Sequence, residues 1–126
     1  QAMDLNPMAI RVSSTGSQRE TSRAKRAEMI KTCFTLLENR IAEKGERTLF
    51  LEVLDPSGQV MPPGDRAPVA MLGGVPASAA RLLDYAGEQM EACIFFIADR
   101  PFEPGVYTVH LVDGEERIAT TDLILR

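Results

Sequence analysis

The sequence predicts an all-β fold: an immunoglobulin-like antiparallel β-sandwich of about seven to nine strands, with Greek-key connections and a long irregular middle crossing. Residues 90–98 (MEACIFFIA) form an apolar run rich in aromatic and β-branched residues, and residues 106–112 (VYTVHLV) form a second strand-like run. Between them, residues 99–105 (DRPFEPG) have the composition of a turn. Asp113-Gly114 then signals a tight hairpin before residues 118–125, so this part predicts three antiparallel strands in a row.

The length and net charge of the chain limit the number of domains and the classes of partner that it can have. With 126 residues the chain has the size of one domain, which we divide into a lead-in, residues 1–22, and a sandwich domain, residues 23–126. The net charge of −4 gives no overall attraction to nucleic acid or anionic lipid. No apolar run is long enough to span a membrane. The start at Gln1 leads us to expect an upstream part that was removed, together with any targeting signal.

The first third of the chain contains one ambiguous segment. Residues 8–13 alternate well enough to predict an edge strand, and residues 14–22 have the composition of a polar loop. Residues 28–37 fit an amphipathic helix at one spacing and a strand at another. An internal comparison favours the strand, because residues 33–54 resemble residues 93–114 at an offset of 60. The second copy is a strand–turn–strand pattern, so strands are predicted at 28–37 and 47–54.

The middle of the chain predicts short elements. Asp55-Pro56-Ser57-Gly58 is a strong turn signal before a short strand at 59–61. Residues 66–72 are interpreted as an edge strand because Pro68 lacks a backbone donor, and residues 81–85 as a strand rather than a helical turn. The predicted core consists of apolar residues from these strands: Ile30, Phe34, Leu36, Leu49, Leu51, Val53, Ile94, Phe96, Tyr107, Val109, Leu111, Leu123 and Leu125.

The two cysteines occupy equivalent positions in the internal comparison. Cys33 and Cys93 would therefore lie near each other, across the sheets or on neighbouring strands. A disulfide would indicate an oxidising compartment. We favour two buried thiols, since a core of this size needs no covalent staple.

No residue pattern predicts a catalytic, cofactor or metal site. His110 is the only histidine, and alternation places it on the face opposite Val109 and Leu111, where we expect it to face solvent. No serine lies in a nucleophile motif, and the glycines have no phosphate-loop spacing. The acidic residues near turns do not follow the DxDxDG spacing of a calcium-binding loop, and the preference of such residues for turns explains their positions.

A basic cluster lies after the first predicted strand. It comprises Arg19, Arg23, Lys25 and Arg26 and is a candidate partner-binding site. The cluster lacks interleaved aromatic residues, which argues against single-stranded nucleic acid. Charged residues that protect an edge strand are the preferred interpretation.

Four segments together resemble a known group of proteins: 23–26 (RAKR), 33–39 (CFTLLEN), 51–58 (LEVLDPSG) and 102–107 (FEPGVY). They are similar to the C-terminal immunoglobulin-like domain of Gram-negative bacterial proteins that consist of a membrane anchor, a long coiled coil and this domain. The resemblance implies a cell-envelope location, periplasmic or at the surface, with a cytoplasmic location as the alternative. It implies no catalytic residues.

The sequence therefore predicts a non-enzymatic binding or assembly module that acts by protein–protein contact. The alternatives are a carbohydrate-binding accessory domain and an intracellular protein that binds nucleic acid through the basic cluster. No cofactor and no membrane insertion are expected. The partner would be an unidentified protein, and we also consider a homodimer formed through the edge at residues 8–13.

Overall fold

Two four-stranded antiparallel sheets pack face to face in the computed structural model, which describes residues 2–37, 45–64, 71–72, 75–85, 88–114 and 116–126. Sheet A has the strand order β2-β1-β3-β8, sheet B has the order β10-β9-β4-β7, and β5 pairs with β6 in a separate ribbon. The predicted all-β sandwich is confirmed. The strands are β1 (Ala2–Val12), β2 (Gln18–Thr21), β3 (Met29–Leu36), β4 (Gly45–Leu54), β5 (Met71–Leu72), β6 (Val75–Pro76), β7 (Ala79–Tyr85), β8 (Met90–Phe96), β9 (Gly105–Asp113) and β10 (Glu116–Leu125).

The inner faces of the sheets follow the period-two pattern of the sequence. In β3, Ile30, Thr32, Phe34 and Leu36 are buried and the residues that alternate with them are half-buried on the other face, which is strand rather than helix geometry. Every predicted core residue is buried except Leu123, which is half-buried against the core. The core also takes in residues that the prediction did not include: Ala9, Ala24, Met61, Leu83, Tyr85, Ala92 and Phe102.

The 60-residue internal similarity has a structural counterpart. In sheet A, Cys33 lies directly opposite Cys93, and in sheet B, Leu51 lies directly opposite Leu111. Both pairs consist of residues 60 positions apart, so each faces its own equivalent in the other copy. The β3–β4 and β8–β9 units are thus related by a local twofold axis that passes near both pairs.

The beginning of the chain differs from its prediction. Strand β1 lies between β2 and β3 and is therefore not at an edge. The edge is β2, within residues 14–22 that were predicted as loop, and its polar sequence QRET gave no alternating signal. A tight turn with Gly16 at φ +86° aligns β2 with β1. Residues 2–21 thus lie within sheet A instead of ahead of it, and β2 covers part of the edge at residues 8–13 that was considered for a homodimer.

The middle of the chain mostly follows its prediction. The turn at Asp55–Gly58 is present, closed by a 2.8 Å hydrogen bond from Gly58 N to Asp55 O. The short strand predicted at 59–61 is reduced to a single bridge between Val60 and Leu54. In the predicted strand 66–72, residues 66–70 lie outside the described residues, and Met71–Leu72 pairs with Val75–Pro76.

Candidate interaction surface

The outer face of sheet A carries more apolar side chains than a solvent-facing antiparallel sheet normally does. The strand register places Ile10 opposite Met29, and Lys31 between Met8 and Phe95, all on this face. Ile10 is only 5% exposed although it does not belong to the main core cluster. Neighbouring side chains on the same outer face therefore shield it.

The two most exposed apolar side chains of this face belong to β8 and to the residue directly after it. Phe95 is 44% exposed and Ile97 is 46% exposed. The Lys31 Nζ lies 5.6 Å from the centre of the Phe95 ring, a cation–π contact that holds the ring against the sheet. Large apolar side chains grouped on a sheet face are typical of interaction sites.

A disulfide lies in the middle of this face. Cys33 and Cys93 are bonded to each other across β3 and β8, with their Cα atoms 4.0 Å apart. The preferred prediction of two buried thiols is therefore wrong, and the alternative of a disulfide on neighbouring strands is correct. Both residues are half-buried and point away from the core, because their neighbours Thr32 and Ile94 fill the inner face.

The free edge of sheet A is partly covered next to the disulfide. Strand β8 pairs with β3 on one side only within the described sheet. Directly opposed residues with such a short Cα separation form a non-hydrogen-bonded pair, so the Cys93 carbonyl points toward the free edge. Arg81 of β7 donates a 2.7 Å hydrogen bond to that carbonyl oxygen through Nη1.

A cleft of about 270 Å³ lies at the end of the sandwich where β4 ends and β9 begins. It is lined in part by Asp55, Arg100, Glu103 and Tyr107. Asp55 Oδ1 accepts hydrogen bonds from Ser57 N (2.9 Å), Ser57 Oγ (2.6 Å) and Gln59 N (3.0 Å). These bonds, with that from the Ser57 hydroxyl first, lower the pKa of Asp55 below its ordinary value. The carboxylate is therefore ionised, and its hydrogen bonds to Ser57 and Gln59 stabilise the turn that contains it.

Tyr107 closes the neighbouring loop. Its hydroxyl donates to Glu103 O and accepts from Glu103 N, both at 2.7 Å. Burial raises the pKa of this phenol, so the hydroxyl stays protonated. Gly105 lies beneath Pro56, where an added Cβ would come within 2.7 Å of the proline Cγ. The polar groups and close packing of the cleft thus fix two turns against each other.

His110 lies on the outer face of sheet B, the face predicted from alternation, but it is not solvent-facing. The side chain is 7% exposed, and its Nδ1 lies 2.8 Å from Thr120 Oγ1. Burial first, and nearby Arg117 second, lower the pKa of His110, while Glu52 and Asp122 oppose that shift. The imidazole is therefore held neutral at physiological pH as part of a polar row on the sheet face.

The predicted basic cluster is brought together with basic residues from elsewhere in the chain. Arg19 lies on β2, opposite Arg11 of β1. Arg23, Lys25 and Arg26 are exposed around a single 3₁₀ turn (Ala24–Arg26), whose buried Ala24 anchors it to the core. The C-terminal Arg126 joins this region, which sequence proximity alone did not indicate.

The described residues show no group of three or more His, Cys, Asp or Glu side chains arranged to hold a metal ion. Of the acidic residues near turns, Asp99 pairs with Arg100 and Asp113 pairs with Arg47. Glu115 lies outside the described residues. No helix in the described part of the chain is both long and apolar enough to cross a bilayer.

Comparison with known proteins gives a family but no activity. No curated protein and no solved structure matches the chain. Residues 3–126 match the family described as Domain of unknown function (DUF8428). The match covers almost the entire chain, so the protein belongs to the DUF8428 family.

Proposed function

We propose that this domain is a non-enzymatic binding or assembly module of a cell-envelope protein, acting by protein–protein contact through the outer face of sheet A. The observation that carries this proposal is the apolar composition of that face. Exposed Phe95 and Ile97 lie beside Met8 and Met29 on a surface that a solvent-facing sheet would normally make polar.

The hydrogen bonds of the polar side chains that could act in catalysis support a non-enzymatic role. Asp55 is saturated by hydrogen bonds from its own turn, and the Tyr107 hydroxyl is engaged by the Glu103 backbone. His110 is buried and hydrogen-bonded to Thr120. Each of these groups has a structural partner. The Ser57 hydroxyl donates to Asp55, but the same carboxylate oxygen also accepts from the backbone N–H groups of Ser57 and Gln59, an arrangement typical of a turn.

The fold supports an immunoglobulin-like assignment as part of the same proposal. The strand order supports it, because β9 and β4 are central in one sheet and β1 and β3 in the other, as expected for a Greek-key sandwich. Tyr107 near the start of β9 bonds back to the backbone four residues upstream, as in the tyrosine corner of such domains. The disulfide differs from the usual immunoglobulin bond because it lies within one sheet.

The cell-envelope location is supported by that disulfide, because structural disulfides persist in oxidising compartments. The resemblance to anchored coiled-coil proteins points to the same location. A carbohydrate platform has less support, since Phe95 is the one exposed aromatic side chain in the described residues. In the described part of the chain, no exposed aromatic side chain lies within the basic cluster. This weighs against binding of single-stranded nucleic acid, which uses aromatic residues to stack the bases.

A photo-crosslinking amino acid at position 95 tests the proposal in living cells. We expect covalent adducts with one or a few envelope proteins, identified by mass spectrometry. The matched control places the same amino acid at Asp122, an exposed position on the outer face of sheet B. No adduct at position 95, or the same adducts at both positions, would refute the role of this face.

A substitution confirms that the contact is specific. Phe95→Asp places a charge on the face, and because the residue lies outside the core, the domain should lose no more than about 1–2 kcal/mol of stability and stay folded. Partner binding should fall by about tenfold or more, as for loss of a central aromatic anchor. Unchanged binding with an intact fold would contradict the proposal.

A further inference from the structure

The fold gathers six basic residues into one corner of the sandwich, which we call the basic corner: Arg11, Arg19, Arg23, Lys25, Arg26 and Arg126. The C-terminal residue is fixed there by three hydrogen bonds. Ala24 N donates to Arg126 O (2.9 Å), Arg126 N donates to Ser22 O (2.7 Å), and Arg126 Nη2 donates to Ser22 Oγ (3.0 Å). The six side chains are exposed.

The corner has a charge opposite to that of the rest of the molecule. Its segments (residues 11, 18–28 and 126) contain six of the chain's 14 Lys and Arg residues and two of its 18 Asp and Glu residues, a formal charge of +4. The remainder has eight basic and 16 acidic residues, a formal charge of −8. The modest net charge of −4 therefore hides a strong separation of charge.

Four exposed carboxylates mark the diagonally opposite corner, which we call the acidic corner: Glu46, Asp84, Glu88 and Glu91. They lie where β4 begins, where β7 ends and where β8 begins. These strand ends are at the far end of the sandwich from the end of β10, where Arg126 follows. The β7–β8 side is also the side away from β1 and β2 in sheet order.

Each corner contains a pair of like charges placed directly opposite each other on neighbouring strands. Arg11 faces Arg19 between β1 and β2, and Glu46 faces Asp84 between β4 and β7. Such pairs are destabilising unless a charge of the other sign lies nearby. The ion pairs found among the described residues, Arg47–Asp113 and Arg100–Asp99, involve neither pair.

We propose that copies of this chain associate head to tail, with the basic corner of one copy against the acidic corner of the next. Among the residues that the structure describes, each corner supplies the charge that the other lacks, so one contact relieves both like-charge pairs. Because the two corners are different and lie diagonally apart, the contact is heterologous. Each copy of an associated pair keeps one free corner, so the pair has a free corner at either end. Association of this kind extends into a chain instead of closing as a twofold dimer.

A polyanion such as nucleic acid or an anionic membrane would use the basic corner alone. It would leave the acidic corner without a role. A second copy accounts for both corners with one contact, which is why we favour it.

Sedimentation velocity of the purified domain at several concentrations tests the proposal. At about 0.01 M salt, where the Debye length is ~30 Å, the average mass should rise with concentration beyond that of a dimer. At about 1 M salt, where it is ~3 Å, the domain should be monomeric. A monomer at all concentrations in low salt would overturn the proposal.

Two neutralised variants identify the surfaces. One carries Arg19→Gln, Arg23→Gln and Lys25→Gln, and the other carries Glu46→Gln, Asp84→Asn and Glu88→Gln. Each alone should lose self-association by about tenfold or more. Mixed together they should form a one-to-one complex that does not grow, because each variant keeps one intact corner. Failure of the mixture to form this complex would contradict the head-to-tail arrangement.

A matched control removes three carboxylates elsewhere: Glu52→Gln, Glu103→Gln and Asp122→Asn. This variant has the same net charge as the acidic-corner variant and should associate like the wild type. Equal loss of association in both would mean that net charge, not the acidic corner, controls it. Binding of the wild type to anionic vesicles or DNA without self-association would also overturn the proposal.

The proposal uses the outer face of sheet A only at Glu91, which neither neutralised variant changes. Phe95→Asp should leave head-to-tail association unchanged, and the two neutralised variants should still crosslink their partner from position 95. The crosslinking experiment and the sedimentation experiment can therefore each refute one proposal without refuting the other.

Discussion

The outer faces of the two sheets differ, although their inner faces are equally apolar. On sheet A, a disulfide and the exposed ring of Phe95 occupy the middle of the face. The middle of sheet B instead carries a polar row in which His110 lies between Thr120 and Glu52. Its exposed apolar side chains lie on either side of this row, with Val106 and Ile124 at one end of the face and Leu82 of β7 toward the other.

The comparison shows where functional information resides in a sandwich. Both inner faces must be apolar because they form one core, so they carry little information about a partner. The outer faces have no such requirement. Exposed apolar residues on an outer face therefore need an explanation beyond folding. On sheet A, Phe95 and Ile97 follow each other along one strand edge, whereas on sheet B a polar row separates Leu82 from Val106 and Ile124.

Removal of the disulfide has the largest expected effect on this comparison. Cys33→Ala with Cys93→Ala opens a link between residues 60 apart, which stabilises by about 4 kcal/mol in the chain-entropy account. The core beneath it is continuous, so the variant should still fold. Urea unfolding of the variant and of the reduced wild type should give the same loss. A loss below about 1 kcal/mol would show that the disulfide is not a main stabiliser of sheet A.

Replacement of His110 by Phe sharpens the description of sheet B. It removes the hydrogen bond to Thr120, at a cost of about 1 kcal/mol near neutral pH. It also removes a pH dependence, because the lowered pKa of His110 means that the unfolded chain binds a proton first as pH falls. The free energy of unfolding should therefore decrease in the wild type as pH falls below about 6.5, and level off below the folded pKa.

Unfolding curves at about pH 8 and about pH 5.5 measure this pH dependence of the free energy of unfolding. The decrease between the two should be smaller in His110→Phe than in the wild type. Equal decreases would mean that groups other than His110 control the stability of the protein in this range.

The smallest effect concerns the contact between Lys31 and Phe95. Lys31→Met keeps the aliphatic stem and removes the charge, so the cation–π contribution of about 0.5 kcal/mol should be lost. A double-mutant cycle with Phe95→Leu, followed by thermal unfolding, isolates it. A coupling energy of zero would indicate that Phe95 is not held by Lys31 and moves freely on the face.

The fold class and most strands were predictable because they depend on local alternation, as in β3 and β9. The edge strand β2 was not, since its ladder depends on the Gly16 turn and on β1 rather than on its own polar sequence. The outer face of sheet A had a usable signal. The run at residues 92–98 is continuously apolar, and an alternating strand with a solvated face would not place Cys93, Phe95 and Ile97 outward.

The disulfide and the basic corner needed three-dimensional information. The internal repeat placed Cys33 and Cys93 near each other, but the choice between thiols and a bond depended on whether they share a sheet. Arg126 is far in sequence from Arg23 and reaches it only because β10 ends beside the 3₁₀ turn. His110 was placed on the correct face, but its burial comes from cross-strand neighbours that a one-strand pattern does not show.

The hydrogen bond from Arg81 to the Cys93 carbonyl has a consequence for solubility. A free strand edge is a template on which a strand of another molecule can add, which is how many β-proteins begin to aggregate. At β8 an incoming strand would have to displace a guanidinium group from one of the acceptors it needs. Arg81 therefore reduces pairing of other strands with that edge, and the edge borders the apolar outer face of sheet A.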